Sequence, residues 1–201
     1  MKLYVTFTSP FARMARIVVI EKGLEDRVEV IGAKTRTVDS PYYAVNPSGR
    51  VPYLVRDDGV GLEESQLICR YLDHLDGAPL FDHPGGEAGW ESRRLEALAR
   101  SLLDGLSVWS RELHRPENER GPTTIEHERQ RCRRMAAVWE REIGHPLMRG
   151  ELNMAQITLV AALGLERRNP GIDWRSGHPD LSTWADAIYQ RPSVAATWPP
   201  E

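Results

Sequence analysis

Apolar and polar residues alternate from the first positions of the chain. Leu3, Val5 and Phe7 are separated by Tyr4 and Thr6, a period of two that predicts a strand. The pattern breaks at Ser9-Pro10, a helix-start signal: serine is a good N-cap, and proline suits the first helical position because its missing N–H would have been unpaired there. Met14, Ile17, Val18 and Glu21 follow in a helical run that stops at Gly23. Val28 and Val30 suggest a second short strand. Tyr53 to Val55 and Val60 to Leu62 flank Asp57-Asp58-Gly59, which reads as a hairpin turn. A further helix is predicted to bury Leu67, Ile68, Tyr71, Leu72 and Leu75 and to end at Gly77.

The first part of the chain therefore runs strand, helix, strand, a short helical or irregular segment, two strands, helix. That is the order of a thioredoxin-like α/β domain, expected over residues 1–77. Residues 78–86 are rich in Gly, Pro and His and are expected to be a linker. Residues 87–201 are predicted to form an all-α domain. Leu95, Leu98, Leu102, Leu106, Trp109 and Leu113 recur at three- and four-residue spacings in its first helix. Thr123-x-x-Glu126 reads as a capping box opening a second helix, which should bury Ile125, Cys132, Met135, Trp139 and Ile143. Asn153-x-x-Gln156 caps a third, and its run Ile157 to Leu163 leaves so little polar face that the helix should cross the centre of the domain. Leu181, Trp184, Ala185 and Ile188 form the last helix, closed before Pro192.

Composition removes several function classes. Among 201 residues the net charge is −3, which gives no electrostatic case for nucleic acid. Arg129, Arg131, Arg133 and Arg134 form a basic run, but Glu126, Glu128, Glu140 and Glu142 interleave it, as on a solvated helix face. Cys69 and Cys132 are too far apart for a disulfide framework or zinc cluster, and both fall on apolar helix faces that suit inert thiols. The six histidines show no ligand pair at helical spacing, so no metal site is expected. The N-terminus has no signal-peptide pattern and no apolar run is long enough to span a bilayer, so a cytoplasmic protein is expected.

Three loop signals stand out: Ser9-Pro10-Phe11-Ala12-Arg13, Asn46-Pro47-Ser48-Gly49-Arg50-Val51-Pro52, and Glu64-Ser65 before a helix. Singly, the first and last read as helix caps. Together, at matching loops of one α/β domain with helices behind it, they resemble the glutathione transferase superfamily. The likeness is strongest to bacterial members that begin with Ser-Pro-Phe and a basic helix. It extends to His178-Pro179-x-Leu181, Trp184 and Arg191-Pro192-Ser193. Many relatives have Ser or Thr three residues before an Asp at the central helix of the second domain, where this chain has Asn153 and Gln156; the pair keeps the capping chemistry.

The resemblance implies glutathione as co-substrate and roles at particular positions. The backbone of Val51, before a cis Pro52, would pair with the cysteinyl unit of glutathione like an added strand. Glu64 would meet the γ-glutamyl ammonium; Ser65 and the helix N-terminus would take its carboxylate. Arg50 would approach the glycyl carboxylate, although an exposed surface arginine fits its position equally. Ser9 would donate a hydrogen bond to the glutathione thiolate. No base or Gly-x-Ser-x-Gly elbow supports a nucleophilic serine, and Tyr4, the other nearby hydroxyl, lies earlier in the strand. No cysteine stands at or beside Ser9, as it does in relatives that form mixed disulfides. Phe11, Trp109 and Arg111 are nominated for a second-substrate pocket, Trp109 fitting the core stripe as well.

The implied activity is thiol attack on a small apolar electrophile, the chemistry of detoxification. The alternatives are a non-catalytic binding or regulatory protein of the same fold, or a glutathione-dependent reductase or isomerase. Surplus apolar residues on the helix from Gln66 and on the helix from Trp90 predict a two-fold homodimer.

Overall fold

The computed structural model describes residues 1–200, which divide into two compact units. The first is a four-stranded mixed sheet with its helices. Strand β1 (Lys2–Val5) leads to helix α1 (Pro10–Glu21), then β2 (Glu29–Gly32), a single turn α2 (Tyr42–Val45), β3 (Tyr53–Val55), β4 (Gly61–Leu62) and α3 (Ser65–His74). The strands lie in the order β2-β1-β3-β4. β1 pairs parallel with β2 and antiparallel with β3, and β3 pairs antiparallel with β4. This is the thioredoxin-like arrangement.

The alternation read at the start of the chain has its cause here: Leu3 and Val5 are fully buried, as are Met14, Ile17 and Val18 of α1 and Leu54 of β3. α1 closes at Lys22, whose N–H reaches the Val18 carbonyl, and Gly23 takes a φ of 59°. The buried face of α3 is Ser65, Ile68, Cys69, Leu72 and Asp73. Leu67, expected in that face, is 51% exposed, because the stripe set by Ile68, Cys69, Leu72 and Asp73 turns it outward.

The end of the first unit lies later than the glycine signal suggested. Residues 78–82, expected as linker, are tied back. Asp73 accepts from the Leu80 and Phe81 N–H groups at 2.8 and 3.0 Å, and Lys22 reaches Asp76 at 3.0 Å and the Ala78 carbonyl at 2.6 Å. The unit accordingly runs to Asp82, and the segment from Pro192 onward joins it rather than the helical unit. That segment opens with a short helix, α9 (Pro192–Ala195), packed against α1. Its anchor is Arg13, which is 3% exposed. The guanidinium donates to the Val194 carbonyl at 3.0 Å and the Thr197 hydroxyl at 3.3 Å, and lies 3.6 Å from the centre of the Trp198 ring. Arg16 donates to the Thr197 carbonyl at 3.1 Å, and the Ser193 hydroxyl donates to Glu21.

The second unit, His83–Arg191, is helical. It contains α4 (Gly86–Leu113), α5 (Pro122–Glu142), α6 (Pro146–Arg149), α7 (Met154–Leu163) and α8 (Pro179–Ile188). All ten residues of α7 are buried, Gln156 and Thr158 included, as a run with almost no polar face predicted. Its capping box forms in both directions: the Gln156 N–H donates to Asn153 Oδ1 and the Asn153 N–H to Gln156 Oε1, each at 3.1 Å. The expected box at Thr123 does not form. Pro122 takes the first helical position of α5 with Gly121 as N-cap, so Thr123 already lies inside the first turn and Glu126 accepts instead from Arg129 and Gln130. No helix among the described residues is long and apolar enough to cross a membrane.

Candidate functional site

The register of the sheet gathers the three loop signals. Tyr4 of β1 stands opposite Tyr53 of β3 and the strands are antiparallel, so the chain leaving β1 toward Ser9 runs beside the chain entering β3 through Val51-Pro52. Leu62 stands opposite Leu54, so the chain leaving β4 toward Glu64 emerges at the same end of the sheet. Topology alone therefore brings Ser9, Val51 and Glu64-Ser65 to one edge of the first unit.

Ser9 is the N-cap of α1, with extended backbone (φ −77°, ψ 122°). Its Oγ accepts the Ala12 N–H at 3.2 Å, and Pro10 occupies the first helical position. With an oxygen lone pair committed to the cap, the hydroxyl proton is the part of Ser9 that can serve an incoming anion, beside the positive end of a twelve-residue helix. Phe11, half-buried, follows in the first turn.

The Val51–Pro52 peptide is cis. Val51 precedes the first paired residue of β3, Tyr53, so its main chain lies outside the ladder. The loop before it is held by polar side chains that sequence reading did not single out for a role. The Arg50 carbonyl accepts from the Tyr42 hydroxyl and from Asn46 Nδ2, the latter at 3.0 Å. Asn46 Oδ1 accepts the Ser48 N–H at 3.1 Å, and Ser48 Oγ accepts the Arg50 N–H at 3.2 Å. The Ser48 hydroxyl also donates to Glu63, which ties this loop to the one that opens α3. Gly49 has a φ of 66°, and a Cβ there would lie 2.8 Å from the Tyr43 ring, so only glycine fits. Burial pushes the Tyr42 phenol above its ordinary value, outweighing the opposing effect of the Asn46 hydrogen bond. No sequence signal marked these residues: Asn46 is a polar residue that is 2% exposed, and its target is a carbonyl that only the folded loop defines.

Glu64 stands at the N-cap of α3 with φ 71° and ψ 118°, a conformation rarely adopted by residues with a side chain. Its side chain is exposed, while Ser65 is 2% exposed and donates from Oγ to Glu64 Oε1 at 3.3 Å. The Arg50 side chain is exposed on the loop beside them. The other two nominated residues belong to α4 in the helical unit: Trp109 is 2% exposed, a core position, and Arg111 is exposed. Among the described residues no His, Cys, Asp and Glu cluster is arranged to hold a metal ion. Burial pushes the Cys132 thiol up to about 12, which leaves it protonated and unreactive.

A sheet of this topology, a serine-capped helix and a cis-proline loop beside a second helix N-terminus define a glutathione transferase fold, and comparison with known proteins agrees. The sequence model of the glutathione S-transferase N-terminal domain matches residues 8–75. A glutathione transferase family member from Pseudomonas fluorescens Pf-5, solved with bound S-(propanoic acid)-glutathione, superposes over all of both chains with a TM-score of 0.87 and 33% identity. A second structure from that organism, with bound glutathione, gives 0.87 and 31% over 100% of this chain and 99% of that one. The uncharacterized GST-like protein YibF of Escherichia coli K12 is 29% identical over the full length of both chains. The chain belongs to the glutathione S-transferase superfamily.

Proposed function

We propose that this protein is a glutathione transferase that lowers the pKa of the glutathione thiol and directs the thiolate onto a small apolar electrophile. Glutathione lies with its cysteinyl unit along the Val51 main chain, its γ-glutamyl ammonium at Glu64, its α-carboxylate at Ser65 and the α3 N-terminus, and its glycyl carboxylate within reach of Arg50. The thiol proton leaves to solvent. The sulfur lone pair then forms the new C–S bond as the electrophile's leaving group departs or its π electrons shift onto an acceptor atom.

The observation that carries this reading is Ser9: its hydroxyl caps α1 through oxygen and retains a proton to donate, at the sheet end where Val51 and Ser65 also lie. A free thiol ionises near about 8.5, and lowering that by about two units needs about 2.7 kcal/mol of preference for the thiolate. A hydrogen bond to a charged group supplies roughly 1.5–3 kcal/mol and a helix N-terminus a further 0.3–1 kcal/mol or so, which together suffice. The glutathione ligands of the Pseudomonas relatives support the choice of co-substrate. Phe11 and the electrophile are assigned to the same site. We further propose that the protein is cytoplasmic and that it forms a homodimer, the dimer being supported by the exposure of Leu67 at 51% and of Trp90 at 68%.

Calorimetric titration with glutathione tests the reading. A dissociation constant between micromolar and low millimolar is expected. No heat at 10 mM, where even an affinity of about 2.7 kcal/mol would register, favours a non-catalytic partner-binding role instead.

A further inference from the structure

The Arg50–Val51 peptide carries two functions at opposite edges of one rigid plane. In a trans peptide the carbonyl and the following N–H point in opposite directions, so fixing one aims the other. The Arg50 carbonyl is fixed by two donors, the Tyr42 hydroxyl and Asn46 Nδ2, and both come from α2 and its C-terminal cap, one turn apart. Neither donor is free to wander. Tyr42 is 5% exposed, with its ring 5.7 Å from that of Tyr4 in the strand β1, and Asn46 is 2% exposed with Oδ1 occupied by the Ser48 N–H.

We propose that Tyr42 and Asn46 are positioning residues for glutathione: together they clamp the Arg50 carbonyl and so aim the Val51 N–H at the peptide backbone of the ligand. This rests on the glutathione reading above. The clamp holds no part of the ligand itself and touches neither the thiol nor Ser9. Its effect is confined to the affinity for the tripeptide backbone. Keeping Tyr42 protonated is part of the design, since a phenolate could not donate to a carbonyl; burial pushes its phenol away from the neutral range. The clamp is therefore insensitive to pH over the range in which a thiol titrates.

The test uses the full chain and two near-isosteric variants. Tyr42→Phe keeps the ring against Tyr4 and removes only the hydroxyl. Asn46→Asp keeps an oxygen that accepts from Ser48 and replaces the donor to Arg50 with a carboxylate oxygen facing that carbonyl. Tyr42→Phe loses one neutral hydrogen bond, expected to raise the dissociation constant for glutathione about three- to tenfold, and Asn46→Asp, which adds repulsion between carboxylate and carbonyl, should weaken binding at least as much. S-methylglutathione, which has no ionisable thiol, must weaken by the same factor. With a general electrophile, KM for glutathione should rise in parallel while kcat and the pKa of the bound thiol stay at the parent values. A purely architectural role would lower Tm and leave affinity unchanged at a temperature where both proteins are folded. Parent-like affinity for both ligands in the two variants overturns the clamp and leaves the glutathione reading intact. Failure of the parent itself to bind glutathione overturns the reading and the clamp with it.

Discussion

Replacing Ser9 by alanine removes two interactions at once, and they can be separated. The first is the cap: Ser9 Oγ accepts the Ala12 N–H at 3.2 Å, and loss of a serine N-cap costs about 1 kcal/mol, within a range of roughly 0.5–2 kcal/mol. For a chain of this size that lowers Tm by about 2–4 °C. The second is the hydrogen bond to the thiolate, about 1.5–3 kcal/mol, whose loss should slow turnover with a general electrophile by on the order of 10–100-fold. Affinity for glutathione with its thiol protonated should barely change, since Val51, Glu64 and Ser65 are retained, while the bound thiol's pKa climbs toward that of free glutathione and the extra affinity the parent gains as pH rises above about 6.5 is lost. Ser9→Asp separates the two effects. Aspartate caps a helix as well as serine, so Tm should return to the parent value, but a carboxylate beside the sulfur opposes the thiolate and turnover should stay at or below that of Ser9→Ala. Ser9→Thr keeps cap and donor and should retain activity within a few-fold. The assay is steady-state turnover of each variant from pH 6 to 9 beside its melting curve. Equal turnover in Ser9→Ala and parent across that range refutes the assignment, whatever happens to Tm.

Arg13→Ala should detach the C-terminal segment from α1, because it removes hydrogen bonds to Val194 and Thr197 and the stack on Trp198; a loss of about 3 kcal/mol in chemical denaturation is expected, with Arg13→Lys recovering only part of it. A midpoint and slope equal to the parent's would show that the segment contributes nothing to stability. Glu64→Gly should relieve a backbone strain of about 1–3 kcal/mol and raise Tm while weakening glutathione, and a fall in Tm contradicts it. The buried Cys132 thiol ionises near its ordinary value only in the unfolded chain, so its contribution to stability is complete below about pH 9 and declines as pH rises toward about 12, by at most about 1.4 kcal/mol per pH unit. Cys132→Val should flatten that alkaline loss in urea titrations, and an unchanged slope would rule it out. Sedimentation at micromolar concentration should give a dimer, and a monomer there would sink the homodimer proposal.

What could be read from the sequence was the part governed by local chemistry. Ser9-Pro10 had to open a helix, Asn153 and Gln156 had to cap one another, and the apolar residues of α7 left almost no polar face. The three loops could be placed because strand order fixes which ends of β1, β3 and β4 adjoin. What escaped depended on contacts between distant residues. Arg13 entered only as the basic residue that closes the Ser-Pro-Phe motif, yet its partners lie more than 180 positions away, and only they make its burial tolerable. Thr123 and Glu126 had the spacing of a capping box, and Pro122 displaced it by claiming the first helical position. Leu67 fitted a helical face on spacing alone, but the width of the stripe that the sheet can cover decides which flanking residues are buried. Tyr42 and Asn46 gave no cue, because the atom they hold is a backbone carbonyl and carries no side-chain signature.

The measurement that reaches the centre of the functional claim is the ionisation of glutathione's own thiol on the protein, followed by the ultraviolet absorbance of the thiolate as pH is raised with ligand saturating. The serine donor and the α1 N-terminus predict a saturable bound form with its midpoint at about 6.5, about two units below a free thiol, which returns toward about 8.5 in Ser9→Ala. A bound thiol that titrates like the free one in the parent protein would contradict thiol activation.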